Sequence, residues 1–213
     1  MRMIAVNKDC SICNRQKYRG GVLFLSNNNN TLDLFNWISA KEKCVFFTKP
    51  LNMDIIKLYR PDFIVSYNYC YIVPADVIDY MKDRIINLHI SYLPWNRGAN
   101  PNFWSFIDNT PKGVTIHKIA KGLDTGDIII QRCLAFDEAR ESFATTYHNL
   151  HQNISELLKK YWLDISAGRI NGYSQDGIGS YHNQQEFSTF VSGVDFNWNM
   201  NILEFKRSID NCL

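Results

Sequence analysis

Two side chains, two positions apart, carry the chemistry this chain offers. In Ile86-Asn87-Leu88-His89-Ile90-Ser91-Tyr92-Leu93-Pro94, a short apolar run leads into an asparagine and a histidine. On a strand, residues i and i+2 share a face, about 7 Å apart. Asn87 and His89 are therefore predicted to project together where a strand runs out into a loop. An amide and an imidazole aimed at one point suit a reaction that makes an oxyanion and moves a proton. The later block Gly122-Leu123-Asp124-Thr125-Gly126-Asp127 holds a carboxylate. Asp124 joins the pair if the fold brings the two loops together.

The elements that must position these groups alternate. Residues 22–26, 44–48 and 63–67 read as buried strands. A helix over 31–40 carries Leu32, Phe35, Trp37 and Ile38 as its apolar stripe, with Asn30 or Thr31 as N-cap. A second, over 51–59, turns Ile55, Leu58 and Tyr59 inward and stops before Pro61. A third, over 75–82, follows Pro74 and leads to the strand bearing Asn87 and His89. Strands separated by such helices imply right-handed βαβ crossovers and a mostly parallel, Rossmann-like α/β sheet with helices on both faces. Ligands of such sheets bind beyond the carboxyl ends of the strands, where Asn87 and His89 fall. After a helix over 102–109 come extended runs at 113–119 and 127–136, with Asp124-Thr125-Gly126 at the bend. A long amphipathic helix spans 142–167 (Leu150, Ile154, Leu157, Leu158, Trp162), and Gly168 stops it. Residues 171–197, rich in Gly, Asn, Gln and Tyr, read as an ordered loop before a last helix over 202–212.

At 213 residues the chain suits one α/β domain with a small C-terminal appendage. The boundaries read as 1–20, a segment outside the alternation, 21–168, the catalytic domain, and 169–213, a loop and helix extension. The N-terminus has no apolar stretch of signal-peptide type, and no run is long enough to span a membrane, so a cytoplasmic location is expected. A formal net charge of +2, with no basic run beyond Lys159-Lys160, argues against affinity resting on nucleic-acid phosphates. The cysteines at 10, 13, 44, 70, 133 and 212 mostly sit in apolar contexts and read as buried, reduced thiols. Cys10-x-x-Cys13 has no second pair of ligands, so no metal is expected. His148 and His151, three apart on the long helix, lack a third ligand. His117, on a strand face, reads as a structural or supporting residue.

Three spaced elements, Asn87-x-His89-x-Ser91-x-Leu93-Pro94-x-x-Arg97-Gly98, then Gly113-Val114-Thr115, then Leu123-Asp124-x-Gly126, resemble the formyltransferases that use 10-formyltetrahydrofolate. That family includes methionyl-tRNA formyltransferase, glycinamide ribonucleotide formyltransferase and the nucleotide-sugar N-formyltransferases. The resemblance runs from about Phe63 to Cys133. It implies a Rossmann-like fold and a catalytic trio at Asn87, His89 and Asp124. It also implies a pterin pocket lined by Tyr69, Tyr71 and Val73 and completed by backbone near Lys121 and Gly122. The stretches Ser66 to Pro74 and Arg97 to Ser105 are most similar to the nucleotide-sugar branch. In the tRNA branch a further C-terminal domain would follow, and here the chain stops at Leu213. The purine-pathway enzyme carries a glycine turn after its first strand, where this chain has Ser26-Asn27-Asn28-Asn29-Asn30. The implied reaction is formyl transfer to the amine of a dTDP- or UDP-linked amino-deoxy sugar, for surface polysaccharide synthesis. The alternatives are transfer to an aminoacyl-tRNA, or folate binding without turnover. The implied partner is thus a small nucleotide sugar, not nucleic acid or a membrane, and monomer or homodimer stays open.

Acceptor contacts are expected from Arg97, on the diphosphate or as a loop cap, from Trp104, by stacking or as core, and from Tyr181 and His182. The chemistry needs a neutral amine, a polarised formyl carbonyl, oxyanion stabilisation and proton passage to the leaving nitrogen. His89 handles the proton or, when cationic, donates to the oxyanion. Asn87 supplies an uncharged donor, whose loss costs about 3 kcal/mol in sites of this kind. Asp124 orients His89 and balances its charge. No covalent nucleophile is required.

Overall fold

The computed structural model describes residues 19–210. Cys10, Cys13, Cys212 and nearly all of the N-terminal segment 1–20 lie outside the described residues. The fold is mixed α/β with a six-stranded, mostly parallel sheet in the order β2-β1-β3-β4-β6-β7 and a two-stranded sheet β5-β8. Its strands are β1 (Val22–Leu25), β2 (Cys44–Phe47), β3 (Phe63–Tyr67), β4 (Ile85–His89), β5 (Arg97–Gly98), β6 (Lys112–Lys118), β7 (Ile128–Leu134) and β8 (Tyr181–His182). The chain divides into two compact units at Asn87/Leu88. No helix among the described residues is long and apolar enough to cross a membrane.

In the first unit, β1 pairs in parallel with β2 and with β3, so that Leu23 sits opposite both Val45 and Ile64. Every residue of β1 and β3 is buried. A parallel strand covered on both faces is expected to read as an unbroken apolar run, as these do. The connections are α1 (Leu32–Ser39), α2 (Met53–Tyr59) and α3 (Ala75–Met81). The Asn52 side chain accepts from Ile55 N to cap α2, and Arg60 ends the helix in the left-handed conformation ahead of Pro61. The inward stripes differ from expectation by about one residue. Ile56 and Tyr59 are buried in α2 while Leu58 is exposed, and Leu34 and Ile38 are buried in α1. A two-turn helix offers too few apolar residues to fix its phase. The cysteines differ too, since Cys70 and Cys133 are exposed. Cys44 is half-buried, and burial pushes its thiol up to about 12.

In the second unit, β6 and β7 form an antiparallel pair whose loop carries Asp124. Their register shifts between Ile116 and His117. The pairing passes from Ile116–Ile130 to His117–Ile128, so the extra residue is Ile129 of β7, and such a bulge bends the strand that carries it. The helices are α4 (Pro101–Ile107), α5 (Phe143–Ser166), α6 (Gln184–Ser192) and α7 (Ile202–Asp210). Ser142 and Thr145 cap α5 reciprocally, and Leu150, Ile154, Leu157, Leu158 and Trp162 form its buried stripe. Gly168, φ 65°, follows the helix end.

Residues 171–197 are not the loop expected from composition. They contain β8, parallel to β5, and α6, which Asn183 and Glu186 cap reciprocally. Their polar composition hides five apolar anchors, Phe187, Phe190, Val191, Val194 and Phe196. Phe103 of α4 is ringed by Phe143, Phe187, Phe190, Phe196 and Phe205, with centroids 5.1–6.0 Å away. Edge-to-face packing at these distances adds about 0.5–1.5 kcal/mol per pair beyond area burial. That aromatic knot fastens the C-terminal segment onto α4 and the start of α5.

Candidate active site

Asn87 and His89 lie two positions apart on β4, and strand alternation puts them on one face. His89 is 7% exposed. Its Nε2 donates to the Asn96 carbonyl at 2.9 Å, and its Nδ1 lies 3.7 Å from Asp124 Oδ2. The second distance exceeds a hydrogen bond, so the contact is one of charge. The other carboxylate oxygen, Oδ1, lies 3.4 Å from His117 Nε2, and His117 Nδ1 donates to the Lys118 carbonyl at 2.8 Å. Carbonyls only accept, so each imidazole keeps its first proton on the nitrogen far from Asp124. A further proton arriving at either ring settles on the nitrogen that faces the carboxylate. Asp124 thus stands between two bases.

Burial by itself would push Asp124 up. The His89 charge, then the hydrogen bond and charge of His117, then the Gly98 N–H, outweigh that and hold the carboxyl well below the usual carboxylate range. Gly98 N donates to Oδ2 at 2.9 Å. Gly98 has φ 90°, and a Cβ there would collide with the His182 carbonyl, so only glycine lets β5 come this close to β8. Asp124 itself adopts φ 50°, a conformation that aspartate tolerates better than most residues.

The loop after His89 is held from several sides. Thr115 Oγ1 donates to the Ser91 carbonyl at 2.7 Å and accepts from Leu93 N at 3.2 Å, which explains the threonine of Gly113-Val114-Thr115. Asn96 is fully buried, with φ 55°. Its N donates to Ser180 Oγ and its Nδ2 to Thr110 Oγ1. These bonds aim the carbonyl that receives the His89 proton.

The remaining expected site residues divide. Tyr69 and Tyr71 meet edge to face with centroids 5.4 Å apart. Tyr69 Oη donates to the Lys49 carbonyl, and burial pushes the phenol up to about 12, so it stays neutral. Tyr71 and Ile72 are exposed and Val73 is buried. Lys121 and Gly122 are exposed at the tip of the Asp124 loop. Arg97 donates from Nε and Nη2 to Gln175 Oε1. Trp104 is buried and its ring lies flat on His182, centroids 4.0 Å apart. The indole face offered to a sugar or base by the sequence is therefore covered by another expected contact. His182 also faces Asp108 at 2.7 Å and Glu186 at 3.2 Å. Tyr181 is half exposed on β8. Asn96, Gly98 and Gln175 were not foreseen, and His117 was assigned no contact with Asp124. The glycine of Arg97-Gly98 was the one visible signal among them. Among the described residues, no cluster of histidine, cysteine and carboxylate side chains has metal-binding form.

Comparison with known proteins places the chain among formyltransferases. The formyltransferase PseJ from Anoxybacillus kamchatkensis, solved with UDP-4,6-dideoxy-4-formamido-L-AltNAc and tetrahydrofolate, is 40% identical. The match covers 87% of this chain and 97% of that one, with a TM-score of 0.79. Rv3404c from Mycobacterium tuberculosis is 25% identical over 84% of this chain and 83% of its own, with a TM-score of 0.73. Methionyl-tRNA formyltransferase from Lachnospira eligens is 33% identical over 146 residues, 68% of this chain and 46% of that protein. The chain spans about half the length of the curated relatives it matches. Residues 12–160 match the formyl transferase profile, and the chain belongs to the formyl transferase family.

Proposed function

We propose that this protein transfers a formyl group from 10-formyltetrahydrofolate to the amine of a nucleotide-linked amino-deoxy sugar, with a UDP-linked 4-amino sugar as the first candidate. The observation that carries the acceptor is the 40% identity to PseJ across 97% of that chain, whose structure holds a UDP-linked 4-formamido sugar. The donor, when bound, supplies an electrophilic carbonyl and a leaving nitrogen that must gain a proton. The aromatic pair Tyr69 and Tyr71 offers ring surface to its heteroaromatic ring, and Tyr69, with its hydroxyl on backbone, leaves its ring for packing.

In this reading Asn87 donates an N–H to the developing oxyanion. A proton released by the acceptor amine is held at Nδ1 of His89, against Asp124 Oδ2, and passed on from there. Asp124 stays ionised throughout, so the charge of the protonated ring is balanced where it forms. Arg97 keeps guanidinium N–H groups beyond those given to Gln175, and offers them to the diphosphate. Tyr181 is a neighbouring contact for sugar or base.

The second reading, formyl transfer to an aminoacyl-tRNA, is favoured by curated relatives at 32–38% identity, all over about half their length. One experiment separates the two. The protein is incubated with 10-formyltetrahydrofolate and a panel of UDP- and dTDP-amino sugars, their free sugars, and methionyl-tRNA, and formylation is read by mass. The UDP-4-amino sugar should be formylated fastest and free sugars barely, since remote nucleotide contacts position the amine. Equal or faster formylation of methionyl-tRNA overturns this acceptor.

A further inference from the structure

We propose that Gln175 is a positioning residue for the reaction: its side-chain amide cross-links the Arg97-Gly98 strand to the Asp124 loop and sets where the carboxylate stands against His89 and His117. The inference rests on the roles given to His89 and Asp124 above. It starts from a complete set of hydrogen bonds. Gln175 Oε1 accepts from Arg97 Nε at 3.1 Å and Nη2 at 2.7 Å. Its Nε2 donates to the Asp124 and Gly126 carbonyls, both at 2.8 Å. A primary amide has two lone pairs and two N–H groups, and all four are used. Turning the amide over would set N–H against guanidinium and oxygen against two carbonyls. The neighbours therefore fix its orientation.

Those bonds fall where Asp124 needs them. With φ 50°, Asp124 holds a backbone conformation that a side-chain-bearing residue seldom adopts unaided. Gln175 fixes the carbonyl of Asp124 and the carbonyl two residues on. Gly126 is confined from the opposite side, since a Cβ there would collide with the Lys118 carbonyl. The carboxylate end of Asp124 is tied to the same strand by Gly98 N. The two loops are thus joined twice, once through the carboxylate and once through Gln175. Gln175 itself is anchored on both sides in the chain. Tyr173 exchanges backbone hydrogen bonds with Ile128, and the Ser180 carbonyl accepts from Arg97 N.

Two variants test this. Gln175→Ala removes all four bonds, whereas Gln175→Glu keeps an acceptor for Arg97 and loses both donors. Both should lower kcat by about tenfold or more while KM for the donor moves less than about threefold, as expected when a reacting group is misplaced rather than a ligand released. In both, the Gly98 amide should exchange with solvent about tenfold faster, while the amides of β6 exchange as in the unaltered protein. The exchange measurement needs no substrate. If no acceptor in the panel is formylated at all, the functional reading fails and Gly98 exchange alone decides this one. Unchanged Gly98 exchange in Gln175→Glu, an unchanged kcat, or a change confined to KM would each overturn the proposal.

Discussion

Two histidine–carboxylate groups in the C-terminal unit use the same parts in opposite ratio. At Asp124 one buried carboxylate faces two imidazoles, His89 and His117. At His182 one imidazole faces two carboxylates, Asp108 and Glu186, and lies flat on Trp104. In the first group each ring has spent one nitrogen on a backbone carbonyl and turns the other toward shared negative charge. In the second both ring nitrogens already face carboxylates, and the ring is stacked on an indole. The proposed proton transfer falls on the group with one nitrogen of each ring turned to the carboxylate, and the other group is the candidate for a strap that holds two elements together.

The largest effect should come from emptying the first group. Asp124→Ala and His89→Ala should each lower turnover at least about a hundredfold, as for acid–base and electrostatic groups elsewhere. Circular dichroism should be unchanged, because both side chains sit at loop ends rather than in the aromatic core. Near-normal turnover in either variant would break the comparison at its functional end.

His151 supplies a third environment. It is buried on α5 beside Tyr147, and burial, then the His148 charge, lowers its pKa to about 4. The folded state therefore binds its proton less readily than the unfolded chain, whose histidines titrate near 6.5. The stability it contributes is complete above about pH 6.5 and is lost as pH falls toward 4. Between about pH 7.5 and 5 the loss should be roughly 2 kcal/mol. Urea unfolding at the two pH values should show it, and His151→Gln should flatten that difference. An equally steep dependence in the variant would place the acid sensitivity elsewhere.

What could be read in advance follows the range of the interactions. β1 and β3 are buried along their whole length because both faces are covered, and such runs are visible in strands of 4 and 5 residues. Asn87, His89 and Asp124 stood out through residue type and local spacing. Asn96, Ser180 and Gln175 did not, because the bonds that tie residues 175 and 180 to the site loops join residues 49–84 positions apart and leave no periodic trace. His117 needed the Asp124 loop to fold back beside β6, which alternation within one strand does not show. The segment 171–197 was misread for a related reason. Its capping box at Asn183 and Glu186 lies among residues polar enough to suggest a loop, and its anchors matter only once Phe103 is there to receive them.

The smallest effect belongs to the second histidine group. His182→Ala removes an indole stack and two ion pairs that are partly open to solvent. Exposed ion pairs contribute about 0–1 kcal/mol, and an aromatic pair about 0.5–1.5 kcal/mol. The variant should therefore lose about 1 kcal/mol of stability, seen as a lower midpoint in thermal unfolding. Its backbone is unaltered, so the carbonyl that accepts from Ala99 N stays available and β5 remains paired with β8. Gly98 N then still reaches Asp124, and turnover should change less than about threefold. His182→Phe keeps the stack and drops the ion pairs, and should recover most of the loss if stacking dominates. A large rise in acceptor KM with unfolding unmoved would instead make His182 a substrate contact, and the contrast between the two groups would no longer be one between moving a proton and holding a strap.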